Sequence, residues 1–542
     1  MGSRGTLTGI PGRLSSDSDN MGKVIVYQLL PRLWGNLVDN PIPGGGLERN
    51  GCGKFSSIDD RTLTWLRDEL KVTHVWYTGV PRHATTVAFE GCGASDPSIV
   101  KGLAGSPYAI TDYFDVNPYL ADNPADRMSE FELLLKRTHD SGLKAVMDFV
   151  PNHVSRDYGK VGLVHEAAEG VLGKADDVSL HWSPENDFYY YPGQRLSLPG
   201  GGRYYENPAK ASGNCFTPFP GVNDWYETVR INYCDFHTRT WDRMLEIVRY
   251  WCLKGVDGFR CDMVEMVPWQ FMKWLIGRIR QEFPDVIFIA EVYQKELYRL
   301  YIDEVGFDYL YDKSGLYDTL RSIVTDGGTA KGITWNWQSL GDMQPKMLNF
   351  LENHDETRFA SDFFGKNPMN AASSLCAGLL LNNSAYMIYS GQEVGERSMD
   401  AEGFSGRDGR TTIFDWWSVG SLKRLYQHIH GLDVLADNEK ETLSLYKEAL
   451  SLTTDPGIEG GKTYDLCYYN LETPGFDPDH TFAFLRGGEG KALLQVCDFS
   501  GEDRLVTVRI PPEAFGYLGI NKTETLEVSV SVRGFGYSVL PV

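Results

Sequence analysis

The amino-acid sequence predicts an α/β protein: a (β/α)8 barrel with an inserted subdomain after the third strand and a C-terminal antiparallel β-domain. Three observations carry that expectation. From Val24 onward, short apolar runs alternate with amphipathic stretches of helical period, the pattern of parallel βα units. About ninety residues rich in Gly, Pro, Tyr and Asn follow the third run, too many for a structureless loop inside a compact domain. Past residue 457 the texture changes to short alternating runs broken by Gly, Asp and Asn turns.

The eight barrel strands are expected at VIVYQLL (24–30), THVWYT (73–78), KAVMDFV (144–150), VDGFRC (256–261), VIFIAE (286–291), FDYLY (307–311), MLNFLE (347–352) and AYMIYS (385–390). Apolar side chains at helical spacing predict helices over 131–142, 240–255, 269–283 and 421–453. The domain boundaries that follow are 21–151 with 229–457 for the barrel, 152–228 for the insertion, and 458–542 for a C-terminal β-sandwich. A smaller insertion at 31–57, carrying GGG and NGCGKF, is expected to border the same end of the barrel. Residues 1–20 are Gly/Ser-rich with no apolar core of a secretory signal, and are expected to be a disordered leader.

Composition narrows the function. A net charge of −21 argues against nucleic acid or an anionic membrane as partner, since both need a basic face. No run of about 18 uncharged apolar residues is present, so no membrane-spanning helix is expected. The nine cysteines are scattered and form no C-x-x-C pair, which speaks against zinc or a redox motif. They are expected to be reduced, favouring a cytoplasmic location.

In GFRCDMVEMVP (258–268), Gly258, Arg260 and Asp262 alternate along a strand and so face one side. Alone, Arg260 and Asp262 would be as easily a structural ion pair as a catalytic one. In a barrel of this kind, polar residues at the C-terminal ends of strands face the active site. That filter adds Asp148, Asn152 and His153 from DFVPNH, Glu291 from FIAEV, and Asn353, His354 and Asp355 from ENHDETR. Each has a bland explanation as a cap, a loop carboxylate or a satisfied histidine; four strand ends converging do not.

D-F-V-P-N-H at 148–153, G-F-R-C-D at 258–262, I-A-E-V at 289–292 and N-H-D at 353–355 resemble, in order, the four signature regions of the α-amylase superfamily, glycoside hydrolase family 13. The resemblance runs from about residue 24 to 542, and SPYAITDYFDVNP (106–118) is similar to the segment that supplies a stacking tyrosine, here Tyr108. It implies a retaining glycosidase on α-glucans, with Asp262 as nucleophile, Glu291 as acid/base and Asp355 binding sugar hydroxyls. Arg260 would hold Asp262 ionised. Asp148, His153, His354 and Tyr108 would contact the cleaved sugar.

The resemblance implies no cofactor for the chemistry. It allows a structural calcium, for which Asn152 matches a ligand position and Asp157, Asp176, Asp177 and Asp187 are candidate partners. Three and four residues past Asp262 the chain carries Glu265 and Met266, where relatives carry lysine and histidine. Glu265 is therefore expected on the acceptor side of the substrate, and Met266 still offers a carbonyl. Met263 leaves the choice between α-1,4 and α-1,6 bonds open. The rival expectations are transglycosylation by the same residues and, with the acidic set kept whole, a much weaker case for an inactive sugar-binding relative.

Overall fold

A computed structural model describes residues 22–163, 171–488 and 490–542; the expected leader lies outside them. Eight short strands close into a parallel barrel: β1 (Ile25–Leu29), β2 (His74–Tyr77), β3 (Lys144–Phe149), β4 (Gly258–Cys261), β5 (Ile287–Ala290), β6 (Tyr309–Tyr311), β7 (Met347–Phe350) and β8 (Ala385–Tyr389). Each strand pairs with its sequence neighbours, and β1 closes on β8 through Ile25↔Tyr386 to Gln28↔Tyr389. The strands are short continuous apolar runs because both faces are buried, one in the barrel and one under helices.

The helices α1 (Asp60–Leu70), α2 (Arg127–Asp140), α3 (Arg239–Leu253), α4 (Trp269–Glu282), α5 (Asp318–Thr325), α6 (Lys331–Leu340), α7 (Ala372–Leu380), α8 (Gly420–Ile429) and α9 (Asp437–Ser451) follow the strands in order. α1 is typical: Asp59 caps it by accepting from the Thr62 N–H, and Leu63, Leu66 and Leu70 form its buried stripe. The single helical stretch expected at 421–453 is two helices. Gly431, with φ of 92°, takes the left-handed conformation that ends α8, and the chain restarts at Asp437.

Two excursions rise at the C-terminal ends of the strands. After β2, Pro81–His83 pairs antiparallel with Ile110–Val116, an arrangement absent from the sequence expectations. After β3, His153–Ser155 pairs with Thr228–Arg230, and the chain between them is held by polar struts. Arg156, wholly buried, donates to Glu206 at 2.7 Å and to Ser212 at 2.7 Å. Beside buried Leu172, Phe188 and Tyr190, charge-assisted hydrogen bonds of this kind hold the described part of the region.

At the C-terminus, β9 (Lys462–Asp465), β10 (Thr481–Gly488), β11 (Lys491–Asp498) and β14 (Tyr537–Pro541) form one antiparallel sheet, and β12 (Arg504–Ile510) pairs with β13 (Leu526–Val532). One continuous apolar core runs from the barrel into these sheets. None of the nine cysteines is disulfide-bonded. Among the described residues no helix is long and apolar enough to cross a membrane.

Candidate active site

The ladder register builds the site. Arg260 on β4 lies opposite Asp148 on β3 and Ile289 on β5. Two residues further along each strand, the Asp262 N–H donates to Phe149 O at 2.9 Å and the Glu291 N–H to Cys261 O at 3.2 Å. Asp262 and Glu291 therefore leave adjacent strands side by side at the mouth. Both line a cavity of about 250 Å³ together with Asp355, Tyr108 and His153.

Arg260 is completely buried beneath them. Its Nη1 donates to Asp262 Oδ1 at 2.7 Å, and its Nε to the Tyr311 hydroxyl at 3.2 Å. Nη2 lies 2.9 Å from Glu291 Oε2 as a charge contact whose N–H is not aligned on the oxygen. The guanidinium also sits against the faces of Trp76, Tyr108 and Tyr311 at 5.3–5.6 Å. A single cation thus meets both carboxylates.

Met263, directly after Asp262, adopts the left-handed conformation (φ 45°, ψ 46°). Such a residue is strained by about 1–2 kcal/mol. The turn aims its N–H at Glu291 Oε2, 2.8 Å away, and the Tyr293 hydroxyl donates to Glu291 Oε1 at 2.6 Å.

Burial pushes the carboxyl pKa values of Asp262 and Glu291 upward, and Arg260 opposes this in both. Arg260 acts on Asp262 in the expected direction, favouring its ionised form, and desolvation is the larger, opposing effect. Asp355 also moves upward, through desolvation first and then the charge of Glu291. Its side chain is 44 % exposed to the open cleft, so water moderates the desolvation.

Behind the cavity runs a polar chain. Gln28 Nε2 donates to His354 Nδ1 at 2.8 Å, which places the proton on Nε2, 2.5 Å from the Tyr108 hydroxyl. Tyr108 donates on to Asp148 Oδ1 at 3.3 Å and stacks on His354 at 5.3 Å between ring centres. Burial keeps His354 and His153 neutral, His153 with its pKa lowered to about 3, and raises Asp148 to about 6.

Two further candidates lie outside the cavity lining. Glu265 does not line the cavity; its carboxylate accepts from the Gln294 N–H at 2.8 Å, because the short turn Val264–Met266 directs it sideways toward the chain after β5. Asn152 faces the insertion and donates to Gly213 O at 2.9 Å.

Nor does the donor set around Asn152 suit calcium, which takes six to eight oxygens including carboxylates. Asp187 is engaged by Arg243, Thr240 and the Gly173 N–H. Asp176 is engaged by the N–H groups of Asp187 and Phe188, and Asp177 by Ser179. No cluster of three metal-ligating side chains occurs among the described residues.

The cavity also holds residues that the strand-end rule passes over: Tyr293, Met263, Trp225, and the ion pair Lys101–Glu227 at 3.1 Å. Tyr293 carries a signal in retrospect, since it lies two residues beyond Glu291 on the same face. Lys101 and Glu227 sit in separate excursions, and no local pattern joins them.

Known proteins give the same picture from outside. The solved maltogenic α-amylase AmyB of Thermotoga neapolitana superposes with a TM-score of 0.61 at 19% identity, covering 97% of this chain and 99% of that one. The cyclic α-maltosyl-(1→6)-maltose hydrolase of Arthrobacter globiformis gives 0.63 at 16% identity, covering 96% and 98%. In sequence, the α-amylase MalA of Haloarcula japonica is 25% identical over 464 residues, 84% of this chain and 54% of that protein. Alpha-amylase 3 of Dictyoglomus thermophilum is 24% identical over 300 residues, 53% of each. The chain thus spans about half the length of these relatives. Residues 49–412, more than half of the chain, match the family described as "Alpha amylase, catalytic domain", and with the barrel and its strand-end carboxylates this makes the chain an enzyme of the α-amylase family.

Proposed function

We propose that this enzyme hydrolyses α-glucosidic bonds, mainly α-1,4, in starch- or glycogen-type glucans and malto-oligosaccharides, with retention of configuration. The observation that carries the reading is the bridging of Asp262 and Glu291 by the one guanidinium of Arg260. Bridged this way, the two carboxylates are suited to the roughly 5–5.5 Å spacing of a retaining pair rather than the wider gap that admits a water. Asp262 receives the aligned hydrogen bond from Arg260, which favours its ionised form and suits a nucleophile. Glu291, raised by burial and by the charge of Asp262, suits the general acid that protonates the leaving oxygen.

In the first step Asp262 Oδ attacks the anomeric carbon as Glu291 gives its proton to the departing sugar. In the second, Glu291 takes a proton from water as the water releases the glucosyl group from Asp262. Asp355, exposed to the cleft, would accept from sugar hydroxyls. Tyr108 and neutral His153, which line the cavity, would contact the cleaved ring. His354, Asp148 and Arg260 lie behind them and hold that set in place.

A second reading, transfer to a sugar hydroxyl instead of water, is favoured by similarity to cyclomaltodextrin glucanotransferases and a maltosyltransferase. Asp262→Asn and Glu291→Gln should each lower turnover on malto-oligosaccharides by several orders of magnitude while the fold survives. Proton NMR early in the reaction should show the α-anomer first; an initial β-anomer would remove Asp262 from the nucleophile role. Thin-layer analysis of products longer than the starting oligosaccharide separates transfer from hydrolysis.

A further inference from the structure

Arg230 ends the strand Thr228–Arg230, directly opposite His153. Its guanidinium donates from Nη2 to Met266 O at 2.7 Å and from Nη1 to Gly213 O at 3.1 Å, with the Phe216 ring 5.0 Å away. Gly213 O also accepts from Asn152 Nδ2, whose partner oxygen, Asn152 Oδ1, is buried without a hydrogen bond. Among the described residues Arg230 forms no ion pair with a carboxylate. Burial correspondingly lowers its pKa. This is an unusual setting for an arginine: a largely desolvated cation satisfied by backbone carbonyl oxygens alone.

Those carbonyls belong to different parts of the molecule. Gly213 lies in the insertion, and Met266 ends the turn that begins beside Asp262 and Met263. Drawing carbonyl oxygens from separate segments onto one positive charge is what a structural calcium ion does. A divalent ion placed here would be repelled by the guanidinium and would compete with it for the same oxygens, and among the described residues no group of three metal-ligating side chains is present to hold it.

We propose that the Arg230 guanidinium does the work of a structural cation in this enzyme, tying the insertion to the turn that bears Asp262, so that the protein needs no calcium for its stability. Arginine suits the task because its planar fork serves two acceptors at fixed angles and its charge persists when buried. The inference rests on the fold and not on the substrate assignment, and its main readout is thermal stability, which does not depend on catalysis.

The test compares the melting temperature of the whole protein after dialysis against EDTA with that in millimolar calcium chloride. The two should agree, and isothermal titration should detect no calcium binding. Arg230→Met should lower the melting temperature by several degrees in both buffers. Arg230→Lys, keeping the charge but not the fork, should recover part of that loss. A wild-type melting temperature that falls in EDTA or rises with calcium overturns the proposal, as does an Arg230→Met protein as stable as the parent. Should Arg230→Met fail to fold, the wild-type comparison and Arg230→Lys still decide.

Discussion

Both oxygens of Glu291 meet donors: the Tyr293 hydroxyl on Oε1, and the Met263 N–H with the Arg260 charge on Oε2. A hydrogen bond to the ionised carboxylate favours that form, so Tyr293 holds the Glu291 pKa below where burial alone would put it. Tyr293→Phe removes that donor. The Glu291 pKa should then rise. Because the general acid must carry its proton, the alkaline limb of the kcat/KM profile should move upward by the same amount. An unmoved limb with a raised KM would instead make Tyr293 a contact for sugar. At this scale, identity and spacing revealed Asp148, Arg260, Asp262, Glu291, His354 and Asp355, because each sits at or just past the end of an apolar run. Tyr293 and Arg230 stayed hidden because what they do is set by partners on other segments.

Turns, not strands, decide how the site is finished. The turn Val264–Met266 sends Glu265 to the Gln294 N–H, joining the segments that follow β4 and β5. Glu265→Ala should therefore cost about 0.5–1.5 kcal/mol of stability and leave the product profile on malto-oligosaccharides unchanged. A shift in product lengths would restore the acceptor-side role expected from its position. The barrel strands were legible because burial on both faces imposes apolar runs, whatever their partners. The pairing of Pro81–His83 with Ile110–Val116 was not, since a three-residue strand containing proline and two basic residues has no strand signature. The break between α8 and α9 is marked by Gly431 and by the Ala436 N–H donating to Glu439 at the restart, signals that a helical period overruns without notice.

Across the whole molecule, buried titratable groups act on stability in opposite directions. Glu393 and Glu402 are raised by burial to about 7 and about 8 from 4.5. In the unfolded chain they lose their protons first, so their contribution, full below about pH 4.5, is lost as pH rises through 7 and 8. His83 and His153 are lowered by burial to about 3 from 6.5; their contribution is full above pH 6.5 and lost as pH falls. The melting temperature should therefore decline from pH 6.5 to 8, and Glu402→Gln should flatten that decline. A profile equally steep in the variant would exclude Glu402 as a source. The closure of β1 on β8 acts on a different clock. About 360 residues lie between the two strands, and a ribosome adding 5–20 residues per second needs roughly 20–70 s to make them. During that interval the nascent chain accumulates strands up to the seventh with the seam still open, including the pair that bears Asp262 and Glu291, so unpaired strand edges stay exposed until the last strand emerges.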